Sequence, residues 1–362
     1  MKKKIACLLA LCLLLALAAW ASAAGDAGDP LVSLSYLQGT FTDKVDAETT
    51  QRLDRSDEAL LGSAESGTSI ANAASTWQEK RLKAGDTLLG STGTNVLLLA
   101  GGAQVTYASG AVVDVSTGTV VPSGSALTAI HRYMVAEDTS ASFSVTSKTA
   151  VLDYQGYYTF GYSSEVDYNA MASALKTLHL FQGSFTGYGQ GFDLEAAPTR
   201  LQALIMFIRV LGEEQQALAW TGTTPFTDIE KGSQAEKYVG YAYSMGYTNG
   251  YSATQFKPAG AVNAYQYTEF VLRAMGYSSA ANTNLADTLD RAQSCGLLTS
   301  GEAAMLQKDR FLRSELVYIS YYALDAMLPD DGRTLGGMLM EKGVFTWEEW
   351  SNARSLVNGW RL

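Results

Sequence analysis

The side chains that could do chemistry in this 362-residue chain are few in kind: two histidines, three cysteines and a surplus of carboxylates. His131 lies in Ala129-Ile130-His131-Arg132-Tyr133 and His179 in Leu178-His179-Leu180, neither with further ligands at metal-binding spacing. A protein zinc site needs three or four such ligands, so both histidines read as structural or surface groups and no metal or cofactor is expected. A jelly-roll metal enzyme would want two or three histidines in its β region, and only His131 is there. Nucleophilic catalysis needs a base close to a serine or cysteine. No Gly-x-Ser-x-Gly elbow occurs, and Cys295, between Ser294 and Gly296 in an apolar helical stretch, reads as a buried thiol. Paired carboxylates can hydrolyse glycosides, but acidic residues are too common here to single out a pair, and that chemistry stays open. Gly101-Gly102 lacks the lysine and hydroxyl residue of a phosphate loop and reads as a turn. Tyrosines cluster at Tyr154, Tyr157, Tyr158 and Tyr162 and again at Tyr241, Tyr243, Tyr247 and Tyr251. Such rings stack on sugars, though packing is their commoner use. No catalytic residue is assigned.

The elements that would position these groups begin after an export signal. Lys2, Lys3 and Lys4 precede an apolar run from Ile5 to Trp20, and Ala21-Ser22-Ala23 supplies small residues for cleavage. The run is shorter than the roughly 20 residues of a bilayer span, so residues 1–23 read as a removed signal peptide with no membrane span left behind. Cleavage removes three lysines and no acid, taking 26 basic and 36 acidic residues to about 23 and 36. That balance gives no bulk reason to bind nucleic acid. Cys7 and Cys12 leave with the signal, so Cys295 has no disulfide partner.

Four further segments follow. Residues 24–81 are a polar N-terminal segment, partly helical around Val45, Leu53, Leu60 and Leu61. Residues 82–165 hold short runs of valine, leucine and tyrosine between glycine turns, which predict a small all-β sandwich or barrel. From Tyr168 the period becomes helical, over 168–330. The tail 331–362 is expected to form a short helix pair, Thr346 and Glu349 having the spacing of a capping box. The expected class is therefore α+β, with the β-domain first and an all-α region after it.

The helical region repeats itself. Copies at about 168–212, 226–276 and 285–328 each place a helix before a turn, a large apolar residue and a second helix. Phe192, Phe256 and Met305 lie eight residues before Arg200, Ala264 and Arg313, and Gly212 and Gly276 lie twelve after the first two of these anchors. A helix–turn–helix of this size cannot bury its apolar face alone, so the copies must pack together. In detail, Pro225-Phe226-Thr227-Asp228-Ile229, Ala242 to Gly250 and Phe256-Lys257-Pro258 resemble the S-layer homology (SLH) domain. So do Pro198-Thr199-Arg200 in the first copy and Leu312-Arg313-Ser314-Glu315 in the third.

That resemblance implies a pseudo-threefold helical bundle whose grooves bind secondary cell-wall polysaccharide, often pyruvylated. It further implies an arginine at the start of each second helix as the key binding group. Backbone N–H groups at a helix start and a guanidinium could meet one carboxylate together. Carried onto this chain, the resemblance marks Arg200, Arg313, Thr199, Glu315 and Asp228 as polymer-binding. Ala264 stands where the second copy should have arginine, and the motif glutamate is Gln202 and Gln266 in the first two copies. With 11 basic and 15 acidic residues, 168–330 has no general positive field to attract an acidic polymer. The leading expectation is an exported, non-catalytic protein on the cell wall or surface of a bacterium. A surface-array component in which the repeats mainly pack, and an enzyme with its site in the β-domain, follow as second and third readings.

Overall fold

The computed structural model describes Gly39 and residues 41–51, 72–183, 187–278, 284–329, 332–358 and 361–362. The expected signal peptide lies outside these residues. The chain divides into two compact units, Met1–Ile70 and Ala71–Leu362. In the first, residues 42–51 are helical.

The second unit opens with an antiparallel, barrel-like sheet. Its strands are β1 (Asn72–Lys83), β2 (Thr87–Ser91), β3 (Asn95–Ala100), β4 (Ala103–Tyr107), β5 (Val112–Asp114), β6 (Thr119–Val121), β7 (Ser125–Ala126), β8 (Arg132–Val135), β9 (Ser140–Val145) and β10 (Thr149–Gly161). They run in the order β6-β5-β8-β3-β10-β2-β9-β4-β7, with β1 also on β10. The sheet starts earlier than the expected boundary at 82. The reason is β10, a long strand whose register with β1 runs from Lys83↔Thr149 to Asn72↔Tyr158 and carries the polar stretch 72–81 with it. That long strand also pairs with β3 over 151–155 and with β2 over 158–161. Between these stretches sits Gly156 at φ +109°, where a Cβ would lie 2.8 Å from Thr94 Cα, so only glycine fits.

Side chains alternate across the sheet, and Leu82, Leu88, Val96, Leu98, Val105, Tyr133, Phe143 and Leu152 fill its core. Tyr154, Tyr158, Phe160 and Tyr162 form a ladder of ring contacts along β10, with centroids 4.5–6.1 Å apart. Packing thus accounts for Tyr154 and Tyr158 of the first tyrosine cluster, while Tyr157 and Tyr162 are exposed. His131 Nδ1 lies 2.7 Å from the Asp114 carboxylate, a structural tie between β5 and the start of β8.

Helices follow: α1 (Tyr168–Thr177), α2 (Arg200–Val210), α3 (Glu214–Ala219), α4 (Gln234–Ser244), α5 (Ala264–Ala274), α6 (Thr288–Ser294), α7 (Ser300–Lys308), α8 (Arg313–Ala323), α9 (Leu335–Glu341) and α10 (Trp347–Leu356). The second helices of the three copies, α2, α5 and α8, pack against one another. Ala203, Phe207, Tyr267, Val271, Val317 and Ile319 belong to one continuous core with α1, α4 and α6. The third copy departs from the other two by folding its intervening segment into α7, so Met305 sits on a helix against the Tyr168 hydroxyl. Helix α10, whose Thr346–Glu349 capping box is formed, packs on α1.

The sheet and the helices are tied by two cations of the β-domain. Arg81 on β1 donates to Asn169 (2.7 Å), the Gly189 carbonyl (3.1 Å) and Glu195 (2.6 Å). Lys148, just before β10, pairs with Asp309 and with the buried carboxylate of Glu315.

Candidate functional site

The two motif arginines open helices, and both are buried: Arg200 is 7% exposed and Arg313 is 8%. What each helix start offers differs from the sequence expectation. The N–H of Arg200 donates to Gly260 O (2.8 Å) and that of Leu201 to Pro258 O (3.1 Å). Thr199 accepts from the Gln202 N–H and closes a capping box. In the third copy Arg313 and Ser314 N–H groups donate to Ala196 O (2.9 Å) and Leu194 O (3.1 Å). The N–H groups expected to meet a ligand carboxylate are therefore taken by the loop of a neighbouring copy. Only the guanidinium groups remain for a ligand.

Three of the five sequence-marked residues serve as braces. Asp228 accepts from the backbone N–H of Phe256 (2.9 Å) and Lys257 (2.7 Å), fixing the turn that precedes α5. Thr199 is the cap just described. Glu315 is fully buried, accepts from the Leu312 N–H (2.7 Å) and the Ser314 hydroxyl, and is paired with Lys148. Leucine at 312 has no side-chain oxygen, so only the glutamate half of a capping box exists there.

Arg200 and Arg313 each border a cleft. The first cleft, about 410 Å³, is bounded by Arg200, the loop residues 249–253 and one face of α5: Gln266, Glu269, Phe270 and Arg273. The second, about 220 Å³, is bounded by Arg313, Phe181 and Gly183, and the same face of α2: Gln202, Ile205, Met206 and Arg209. The lining comes from the third, sixth, seventh and tenth residues of the helix in both cases. Two clefts built to one plan are what a repeat produces when an arginine of one copy faces the second helix of another.

Their electrostatics differ. Arg200 lies between the rings of Phe256 (5.0 Å) and Phe270 (5.4 Å) and donates to Gly250 O at 3.2 Å. Its Nε is buried with no hydrogen-bond partner, and no carboxylate forms an ion pair with it among the described residues. Burial first, then repulsion from Arg273, lowers its pKa to about 10. Glu269, the one acid lining the cleft among the described residues, already answers Arg273 (2.9 Å) and Arg291 (2.6 Å). A buried cation without a counter-ion is costly, and the simplest relief is an anion entering the cleft. Gly250 is fixed by this arrangement, for at φ +81° a Cβ would meet the Phe226 ring at 2.3 Å.

Arg313 donates to Phe192 O at 3.2 Å and faces the Phe181 ring at 5.9 Å. Burial lowers its pKa, while Asp193 pulls the other way, Arg209 adds to the lowering, and Glu195 opposes it. The second cleft is smaller, more apolar and less starved of negative charge.

Sequence reading missed Arg209 and Arg273. Both stand nine residues after the motif position, at 200 and 264, and the repeat register carries that signal. Of the second tyrosine cluster, Tyr251 is exposed and borders the first cleft, and the other three do structural work. Tyr241 and Tyr247 hydroxyls donate to Glu213 at 3.0 and 2.9 Å, and Tyr243 packs on Phe226. Cys295 is half-buried, its thiol near Ala292 O, and His179 contacts Glu349. Among the described residues no group of three or more His, Cys, Asp or Glu could hold a metal, and no helix is long and apolar enough to cross a membrane.

No curated protein sequence matches the chain. Among solved structures, partial likenesses reach procruciferin, an 11S globulin from Brassica napus, at 14% identity and a TM-score of 0.16, over 24% of this chain and 22% of that one. Recombinant pro-11S globulin of pumpkin shares 13% identity at a TM-score of 0.16, over 29% of each chain. The chain thus spans less than a third of either globulin. The family model of the S-layer homology domain matches residues 225–263, which run from the Pro225-Phe226-Thr227-Asp228 entry to the cap of α5. That match identifies one S-layer homology domain within the chain, over residues 225–263.

Proposed function

We propose that the chain is an exported, non-catalytic surface protein held on secondary cell-wall polysaccharide through its helical copies. In this reading the three copies form a pseudo-threefold bundle, and an acidic sugar substituent such as a pyruvate ketal enters the Arg200 cleft. The second cleft, with Arg313, is a weaker site, and the β-domain is what the anchor displays. The observation that carries the reading is Arg200 itself: a buried guanidinium with an unpartnered Nε, bordering a cleft of about 410 Å³ and lacking a carboxylate. A ligand carboxylate would complete its fork-shaped donor set.

The test is retention of the mature protein on purified sacculi, before and after removal of the secondary polymer. Losing a charge-assisted pair costs roughly 1.5–3 kcal/mol, about ten- to a hundredfold in affinity. Arg200→Ala should weaken retention by that much, and Arg200→Ala with Arg313→Ala should abolish it while helical content is kept. Retention should also fall as salt rises. A double variant that stays bound as tightly as the parent sinks the anchoring mechanism.

A further inference from the structure

The plan shared by the two clefts predicts a third, facing α8, and the chain has rebuilt it. The arginine that should border it is Ala264. The third, sixth and tenth residues of α8 are Glu315, Tyr318 and Tyr322, where the other helices carry Gln, Ile or Glu, and Arg. Glu315 is covered by Lys148 of the β-domain. Beside Tyr318 stands a second buried carboxylate, Glu302 on α7, at 0% exposure, which accepts from the Tyr318 hydroxyl at 2.9 Å and from the Thr299 N–H at 2.7 Å. The polarity of the first cleft is thus reversed: fixed negative charge waits for a cation.

That cation is present. Arg361 makes a two-pronged pair with Glu302, Nε to Oε1 at 2.6 Å and Nη2 to Oε2 at 2.9 Å. Its Nη2 also donates to Leu297 O at 2.6 Å, and the guanidinium faces the Tyr322 ring at 4.7 Å. The next residue is held too, Leu362 N–H donating to the Tyr318 hydroxyl (3.3 Å) and Thr299 Oγ1 donating to Leu362 O (2.6 Å). Leu297 and Thr299 belong to the loop after the first helix of the third copy, equivalent to the loops that border the other two clefts.

We propose that this third inter-copy position is a guanidinium-binding site, filled in cis by Arg361. A carboxylate fork, a carbonyl and a ring face match the planar five-donor guanidinium and not a compact ammonium. The site is therefore closed to acidic polymer, and anchoring is confined to the Arg200 and Arg313 clefts. The chemistry of the site does not rest on the anchoring reading, and its test uses no polymer.

The test is thermal melting of the full mature chain bearing Arg361→Gly, with N-acetylarginine amide or N-acetyllysine amide added at matched ionic strength. Removing one partner of a buried pair should lower Tm by on the order of 10 °C. The arginine amide should restore Tm saturably in the variant, leave the parent unchanged, and outperform the lysine amide. Arg361→Gln, which can still donate hydrogen bonds toward Glu302, provides the same readout if the glycine variant does not fold. Equal effects of the two amides, or no restoration in either variant, overturn the assignment.

Discussion

Arg200 could serve as a ligand group or as a brace clamped between two phenylalanine rings, and one substitution separates the roles. Arg200→Met keeps a long side chain between Phe256 and Phe270 and removes a buried charge that has no ion-paired carboxylate among the described residues. Replacing an uncompensated buried charge by a well-packed apolar group is neutral or stabilising, by about 1–4 kcal/mol where ion-pair clusters have been so replaced. The expected outcome is an unchanged or raised Tm together with weakened retention on sacculi. A marked fall in Tm with retention intact would make Arg200 a brace. Motif position alone was enough to find Arg200 and Arg313 in the sequence. It could not show that Asp228 and Glu315 are engaged, because they meet backbone groups of a turn 28 and 29 residues on and a lysine 167 residues away. Nor could it show that the first N–H groups of α2 and α8 donate to loops of other copies. Those partners lie far along the chain and meet only once it is folded.

Elements with strong local signals were the most legible. Thr346 and Glu349 form their capping box, and the glycines after α2, α4, α5 and α6 sit at positive φ as helix-ending residues should. The strand 72–83 has a weaker local signal, because its alternation is interrupted by the irregularity between Ala74 and Gln78, and its pairing with β10 is what fixes it. Helix α4 contains a less obvious constraint. Gly240 lies in its interior, where alanine has the better helix propensity by up to about 1 kcal/mol. Yet a Cβ there would approach the Trp220 ring to 2.1 Å, for the indole that follows α3 lies across the glycine. Crowding a packed contact usually costs about 1–3 kcal/mol, which exceeds the propensity gain. Gly240→Ala should therefore lower Tm, and pairing it with Trp220→Leu should recover part of the loss. A glycine variant more stable than the parent would show that the indole moves aside freely.

At the scale of the molecule, the change from glycine-spaced strands to helical period is plain in the sequence, and it suggests two bodies joined near 161–168. The structure instead gathers sheet and helices into one compact unit, Ala71–Leu362. The sequence conceals this because the fastening includes two single cations, Arg81 and Lys148, which look like ordinary solvated charges on a strand and a turn. Arg81 is the more consequential. Its side chain is 6% exposed, all three of its hydrogen-bond partners lie in the helical region, and its guanidinium also faces the Phe192 ring at 5.5 Å. Burial lowers the Arg81 pKa and Glu195 restores it in part, so each charge depends on the other. Removing one member of a buried pair costs about 3–5 kcal/mol, largely because the remaining charge is left without compensation. Arg81→Ala should thus lower Tm and split a single calorimetric transition into two, with the sheet and the helices melting apart. Adding Glu195→Gln should recover part of the first loss, since it neutralises the stranded carboxylate, but should not rejoin the transitions. Protease cleavage within 161–168 should become faster in Arg81→Ala than in the parent. One unsplit transition at the parental Tm would mean that the sheet is held by its remaining contacts and that Arg81 is dispensable.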